Sequence, residues 1–174
     1  TYSDEIGIDP DRIVAAGGSA GGHLAAATAY IGKYDHDDDD LAVSPRPDAL
    51  VLYNPVIDNS PEGYGTLLLG DNWSDFSPLH NMPEHGALPT LFIIGTKDFL
   101  IPVSTAERVM QLSESAGGRC ELIVYEDARH GFFNYSRRGK EKADYYLATL
   151  YYSEYFLESQ GYIASQADIA RAMP

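Results

Sequence analysis

Residues 12–21, RIVAAGGSAG, decide the fold of this chain. A short apolar run, Arg12 to Gly17, predicts a strand and passes directly into an alanine-rich stretch, Ala20 to Tyr34, that favours a helix. Ser19 lies at the junction between the two. A sharp turn from strand to helix exposes a small hydroxyl, which is the arrangement that a serine nucleophile requires.

Glycines surround the serine in this turn. Gly17 and Gly21 lack a Cβ, and we expect this to let the turn pass close to neighbouring backbone. The turn also directs a helix N-terminus, with the amide of Ala20, at an oxyanion forming on an attacked carbonyl. Ala20 and Gly18 are therefore the candidate oxyanion and substrate-binding residues.

Three further apolar runs, each ended by turn residues, follow along the chain: Ala49 to Tyr53, Thr90 to Gly95 and Glu121 to Tyr125. Helical periodicity appears over Val103 to Ala116 and again over the long amphipathic stretch Lys140 to Gln160. Strands separated by crossovers predict a parallel sheet flanked by helices, and the lack of alternation indicates strands buried on both faces. We predict an α/β fold of about four strands in one domain, residues 1–174.

Two titratable residues lie just after the third and fourth predicted strands, Asp98 and His130. Because the carboxyl ends of parallel strands share one edge of a sheet, both are expected beside Ser19. A serine becomes nucleophilic when a base, itself held in one tautomer, takes its proton. The sequence therefore predicts Ser19 as nucleophile, His130 as base and Asp98 as orienting acid.

Other residues are alternatives for these roles or for binding. Asp58, after the second strand, is a rival acid, whereas Asp127 is too close to His130 and reads as a turn residue. His23, four residues after Ser19, is interpreted as a packing or supporting group. His36, His80 and His85 are predicted to be surface residues in loops. Segment 58–85 is predicted to be irregular, with Trp73 and Phe76 either lining a pocket or anchoring the segment. The acidic run 35–40 is predicted to be solvated and not to bind calcium.

The composition of the chain limits the classes of molecule that it is expected to bind. The 174 residues include 26 acidic and 12 basic side chains, a net charge of -14, which argues against nucleic acid or an anionic membrane surface and favours an uncharged substrate. A single cysteine, Cys120, excludes an internal disulfide framework. No apolar stretch approaches the ~20 residues of a membrane-spanning helix and no signal-peptide pattern is present, so a soluble protein of unknown compartment is expected.

Three motifs, GGSAGGHLAA (17–26), GTKDFLIP (95–102) and ARHGFFN (128–134), resemble the α/β-hydrolase superfamily. The similarity is greatest to its bacterial esterase and lipase branch, near hormone-sensitive-lipase-type carboxylesterases and carbohydrate acetyl and feruloyl esterases. The resemblance implies that Ser19 attacks an ester carbonyl, that His130 and Asp98 assist it, and that no metal or organic cofactor takes part.

The chain departs from that family in one respect. Members usually have about eight strands with the nucleophile after the fifth, so this chain is expected to lack the N-terminal strands and the His-Gly-Gly loop that supplies a second oxyanion donor. The first strand would then be an open sheet edge, and we expect homo-oligomers that cover it.

Three functions follow as hypotheses from the resemblance. The first is a serine esterase acting on small acyl groups, including acetyl groups on carbohydrate. The second is a catalytically impaired fragment with a binding or structural role. The third is a serine peptidase of the prolyl-oligopeptidase type, which shares the order Ser, Asp, His.

Overall fold

The computed structural model describes residues 2–137 and 145–164. The described residues divide into two compact units, one within residues 1–131 and the other within residues 132–174. The strands of the first unit are β1 (Val14–Gly18), β2 (Ala49–Tyr53), β3 (Thr90–Lys97) and β4 (Cys120–Arg129). Its helices are α1 (Ser3–Ile6), α2 (Ala20–Tyr30), α3 (Thr66–Leu69), α4 (Trp73–Phe76), α5 (Pro78–His85) and α6 (Val103–Ser115), and a 3-10 turn spans Gly70–Asn72.

The four strands form one parallel sheet in the order β1-β2-β3-β4. Gly18 pairs with Tyr53, and Tyr53 pairs with Ile93. Because the pairing aligns the carboxyl ends of the strands, the segments that follow them lie along one edge. The prediction of a parallel α/β sheet with four strands is confirmed.

One face of the sheet forms the main core with α2, α5 and α6. Leu50, Leu52 and Phe92 contribute from the central strands, and Ala26 and Ala106 from the helices. The expectation of strands buried on both faces holds for β2 and β3 but is wrong for β1 and β4, most of whose residues are only half-buried. In the described part of the chain these two are the edge strands, so each lacks a neighbour on one side.

The segment 58–85 is more regular than its sequence suggests. Most of its second half is helical, and α5 begins with Pro78 and buries Leu79 and Met82. Proline suits the first turn of a helix, where its missing N–H has no intrahelical partner. The prediction of an irregular segment is wrong for this half, because helices of four to eight residues are too short to show a period.

The second unit contains a 3-10 turn, Tyr135–Arg137, and helix α7, Tyr145–Ser159. The buried residues of α7 recur at helical spacing: Tyr145, Thr149, Ser153 and Phe156. The helix predicted over Lys140 to Gln160 is thus confirmed from Tyr145 onward, and residues 140–144 lie outside the described residues. None of the described helices is both long and apolar enough to span a bilayer.

Candidate active site

Ser19 lies on a strained turn between β1 and α2, with φ 54° and ψ -120°. Its amide donates to Tyr53 O at 3.0 Å, and its carbonyl accepts from the amides of His23 and Val56, both at 3.1 Å. A non-glycine residue in such a conformation costs about 1–3 kcal/mol and persists only where neighbours hold it. The first turn of α2 and the end of β2 hold this one.

Two glycines near Ser19 permit close backbone contacts, but they are not the expected pair. A Cβ on Gly17 would lie 2.2 Å from Gly21 O, whereas a Cβ on Gly21 would meet nothing within 4 Å. A Cβ on Gly22 would lie 2.6 Å from the Cβ of Pro55. The steric prediction is correct for Gly17 and wrong for Gly21, because Gly22 is the helix residue that faces the segment after β2.

The structure brings Ser19, His130 and Asp98 together in one hydrogen-bonded chain. His130 Nε2 lies 2.8 Å from Ser19 Oγ, and His130 Nδ1 lies 2.8 Å from Asp98 Oδ2. The Asp98 side chain is 0% exposed and that of His130 is 15% exposed. A carboxylate can only accept, so Nδ1 is the protonated nitrogen and Nε2 is left to accept the serine proton.

Asp98 is itself held by the turn that follows β3. Its Oδ1 accepts from the amides of Leu100 at 2.9 Å and Ile101 at 3.0 Å. The carboxylate therefore has one oxygen committed to backbone and the other to His130. Charge-assisted bonds of this kind orient a buried carboxylate firmly.

An irregularity between β3 and β4 places His130. The register shifts between Gly95 and Lys97, and a Cβ on Gly95 would lie 2.2 Å from Ala128 O. Asp127 has φ 63° and pairs with Lys97 at 2.5 Å. A bulge of this type redirects the side chains that follow it, and here these include His130.

The rival acid Asp58 belongs to a different cluster. Its Oδ1 accepts from the amide of Ser60 at 2.9 Å and lies 3.8 Å from His80 Nδ1, while its Oδ2 lies 3.9 Å from Arg108. Ser77 Oγ contacts the same His80 nitrogen at 2.8 Å. Since the serine and the carboxylate share Nδ1, this set of Ser77, His80 and Asp58 cannot relay a proton through the ring.

The other histidines and aromatic residues lie outside the Ser19–His130–Asp98 chain of hydrogen bonds. His80 and His85 lie in α5, so the prediction of loop positions is wrong for both, whereas His36 is exposed in a loop as expected. His23 Nε2 donates to Phe76 O at 2.8 Å, which agrees with a supporting role. Trp73 packs edge-on against His80.

An apolar cavity of about 190 Å³ opens beside the Ser19 turn. Its walls come from the start of α2 and from the segment after β2, and the residues are Ala20, His23, Val56, Asn59, Tyr64, Gly65, Leu68, Leu69 and Phe76. Phe76 thus lines a pocket and also stacks on Tyr34 at 4.8 Å between ring centroids. The cavity is large enough for a short aliphatic or small cyclic group.

The candidate oxyanion residues border the nucleophile. Gly18 ends β1 and Ala20 begins α2. The first amides of a helix have no intrahelical acceptor, so the Ala20 N–H is available by geometry to an oxyanion next to Ser19. The assignment of Ala20 and Gly18 to oxyanion binding stays a prediction.

Sequence reasoning missed one residue of this site. The sequence assigns no role to Asn54, which directly follows the second predicted strand, yet its Nδ2 lies 3.5 Å from His130 Nε2. Its Oδ1 accepts from the amide of Gly131 at 3.2 Å. Its position in the sequence could have indicated this contact, because Asn54 follows β2, and β2 lies between the strands that lead to Ser19 and Asp98.

The chain is similar to known proteins over most of its length. The model of the prolyl oligopeptidase family matches residues 2–153. Thermogutta terrifontis esterase 2, in the form phosphorylated by paraoxon, superimposes with a TM-score of 0.82 and 36% identity, over 95% of this chain and 60% of that chain. The propionate-bound form gives 0.82 and 36%, over 95% and 62% of the two chains. These matches confirm the α/β-hydrolase resemblance.

Two curated relatives are more distant. An acetylxylan esterase of Xylanibacter ruminicola is 27% identical over 141 residues, 72% of this chain and 27% of the relative. An acylamino-acid-releasing enzyme of Arabidopsis thaliana is 29% identical over 144 residues, 74% of this chain and 18% of the relative. The chain therefore spans about a quarter or less of these relatives.

Proposed function

We propose that this chain, which belongs to the prolyl oligopeptidase family, hydrolyses esters of small acyl groups by a serine acyl-enzyme route. The observation that carries the proposal is the pair of 2.8 Å contacts that join Ser19, His130 and Asp98. A hydroxyl, an imidazole and a buried carboxylate in this order are the groups that acyl transfer requires. In this proposal Ser19 is the nucleophile, His130 the base and Asp98 its orienting acid.

Acylation begins when Ser19 Oγ attacks the ester carbonyl carbon. The Oγ–H proton passes to His130 Nε2 as the Oγ–C bond forms, and the carbonyl oxygen becomes an oxyanion. The Ala20 amide donates to that oxygen, and Asp98 stabilises the imidazolium ring. The C–O bond to the alcohol then breaks, the proton on Nε2 goes to the departing oxygen, and the acyl group remains on Ser19.

Deacylation repeats these steps with water. His130 Nε2 takes a proton from water as its oxygen bonds to the acyl carbon, and the oxyanion forms again. The Oγ–C bond breaks and the proton on Nε2 returns to Ser19 Oγ. A carboxylic acid leaves, and the enzyme is regenerated with all protons balanced.

The small apolar cavity supports a short acyl or alcohol group. Its volume of about 190 Å³ and its wall of side chains such as Val56, Leu69 and Phe76 suit a group of a few carbons. Esterase 2 binds propionate and butyrate in two of its structures. The acetylxylan esterase relative supports acetylated carbohydrate as one substrate of this class.

A peptidase is the second candidate, because the family model is that of the prolyl oligopeptidases and one relative releases acylamino acids. The groups of the site suit either leaving group, an alkoxide or an amine. The comparison that separates them is the rate on p-nitrophenyl acetate against the rate on N-acetylalanine p-nitroanilide. The ester proposal requires a higher kcat/KM on the acetate, and the reverse order assigns the chain to the peptidases.

Ser19→Ala tests the chemistry itself. We expect the rate of p-nitrophenyl acetate hydrolysis by the variant to fall to the background rate given by free imidazole and by groups on a protein surface. The variant should also lose the stoichiometric phosphorylation by paraoxon that mass spectrometry detects. Ser74→Ala, a change to an exposed serine of α4, is the matched control and should leave both unchanged. Equal hydrolysis by the wild type and Ser19→Ala would favour a binding or structural role instead.

We also propose that copies of this chain associate through β1, which has a strand neighbour on one side among the described residues. Unpaired N–H and C=O groups on an apolar edge favour pairing with another strand. Sedimentation at several concentrations tests this, since a monomer at every concentration excludes it. Absence of nucleic acid partners and of cofactors stays a prediction.

A further inference from the structure

Asn54 occupies the centre of the strand ends that bear the catalytic groups. It follows β2, which lies between β1 and β3, the strands that lead to Ser19 and Asp98. Asn54 is 0% exposed, and its amide donates to Ile93 O at 2.7 Å. Its φ of 35° is unusual for a residue with a side chain, although asparagine tolerates it better than most.

The backbone on both sides of Asn54 is tied to the nucleophile. Tyr53 O accepts from the Ser19 amide at 3.0 Å, and the Val56 amide donates to Ser19 O at 3.1 Å. Pro55 packs so closely on α2 that a Cβ at Gly22 would lie 2.6 Å from its Cβ. Asn54 therefore has little freedom to move relative to Ser19.

The carboxamide of Asn54 reaches the base. Oδ1 accepts from Gly131 N–H at 3.2 Å, and Nδ2 lies 3.5 Å from His130 Nε2. A backbone amide only donates, so the atom that faces Gly131 must be the oxygen, which places the NH₂ group toward the imidazole. One side chain thus contacts both the ring of His130 and the backbone that follows it.

We propose that Asn54 is a positioning residue that aims His130 Nε2 at Ser19 Oγ. The inference rests on the proposed function, because the orientation of the His130 ring affects the rate only if His130 accepts the serine proton. The bond to Gly131 restrains the turn after His130. The NH₂ group borders Nε2 at 3.5 Å, whereas Ser19 Oγ lies at 2.8 Å, so Asn54 confines the ring without taking the lone pair from the serine. Small misplacements of a catalytic base are costly, on the order of a hundredfold for about 1 Å.

Two variants distinguish the effect of the Asn54 side chain from the effect of its backbone conformation. Asn54→Gly removes the carboxamide and accepts φ 35° without strain. Asn54→Asp keeps an oxygen for the Gly131 amide but sets a carboxylate oxygen toward Nε2. Asn72→Gly is the matched control, since Asn72 undergoes the same substitution, is exposed and makes no side-chain capping hydrogen bond at the start of α4.

The experiment measures p-nitrophenyl acetate hydrolysis and urea unfolding of the full chain. Asn54→Gly should lower kcat about ten- to hundredfold with KM within about twofold, and its unfolding midpoint should fall because the Gly131 amide loses its acceptor. Both are measured where the variant is still folded, and Asn72→Gly should keep kcat within about twofold of wild type. In Asn54→Asp the added carboxylate stabilises protonated His130, so the acidic limb of kcat/KM should move to higher pH by about one unit. Asp98 is the charged side chain already bonded to that ring in the described structure.

A second readout does not depend on turnover. The proton on His130 Nδ1, bonded to Asp98, should give a far-downfield NMR signal in the wild type that broadens or is lost in Asn54→Gly. That change without Ser19-dependent hydrolysis supports the positioning role and rejects the proposed function. The inference is overturned by an unchanged signal, by a wild-type kcat in Asn54→Gly or by an equal loss of kcat in Asn72→Gly. If Asn54→Gly does not fold, an unmoved pH profile in Asn54→Asp overturns it.

Discussion

Two adjacent glycines at the start of α2 should respond in opposite ways to the same substitution. Gly21→Ala adds a methyl group that meets nothing within 4 Å, whereas in Gly22→Ala the methyl carbon would lie 2.6 Å from the Cβ of Pro55. Carbon atoms in contact are normally about 3.5–4.0 Å apart. The helix or the Pro55 segment must therefore move by about 1 Å in the second variant alone.

The magnitudes follow from this geometry. Replacing glycine by alanine in a helix stabilises it by up to about 1 kcal/mol, and both variants receive this gain. Overpacking a buried contact costs about 1–3 kcal/mol, and only Gly22→Ala incurs it. We expect Gly21→Ala to raise the free energy of unfolding by up to about 1 kcal/mol and Gly22→Ala to lie about 1–3 kcal/mol below Gly21→Ala.

Urea unfolding followed by circular dichroism at 222 nm measures both free energies. The comparison is internal, since the two residues are neighbours in the same helical turn and undergo the same chemical change. Equal stabilities of the two variants, or a less stable Gly21→Ala, would refute the assignment of Gly22 as the glycine at the close contact with Pro55.

Two other predictions concern Asp98 and Cys120. In Asp98→Asn the side-chain oxygen should still accept from the Leu100 and Ile101 amides, so the new NH₂ group faces His130 Nδ1. The ring then adopts the tautomer with a proton on Nε2, which cannot accept the serine proton, and kcat should fall about 10⁴-fold. A loss below tenfold at unchanged stability would contradict the orienting role of Asp98. Burial raises the pKa of the Cys120 thiol to about 12, so its thiolate fraction at pH 8 is far below that of a free cysteine. Disulfide-reagent labelling should be about 10³-fold slower in the native chain than in urea, and similar rates would show that the thiol is not protected.

Much of the fold follows from local pattern. The strand Ala49–Tyr53 was predicted with its exact bounds, and α6 within one residue, because both combine a clear apolar pattern with turn residues at their ends. β4 was predicted too short. It continues to Arg129 through the bulge between the Gly95–Tyr125 and Lys97–Arg129 pairs, and such pairing depends on β3 rather than on its own sequence.

The candidate triad shows the same division. The turn around Ser19 has a local signature, and the parallel topology then implies that residues following later strands lie near it. Asp98 and His130 meet that condition, but so does Asp58 in sequence. Only the tertiary contacts of Asp58 with His80 and Arg108 show that it belongs to a different cluster from His130.

The sequence by itself determined the parallel α/β sheet and the position of Ser19 at a strand-to-helix turn, because both depend on residues close together along the chain. Tertiary structure decided which glycine allows close packing, Gly22 rather than Gly21, and that Asn54 contacts the base. These are distances of a few ångströms between segments far apart in sequence. No periodicity or local propensity encodes them, since they arise only when strands and helices pack.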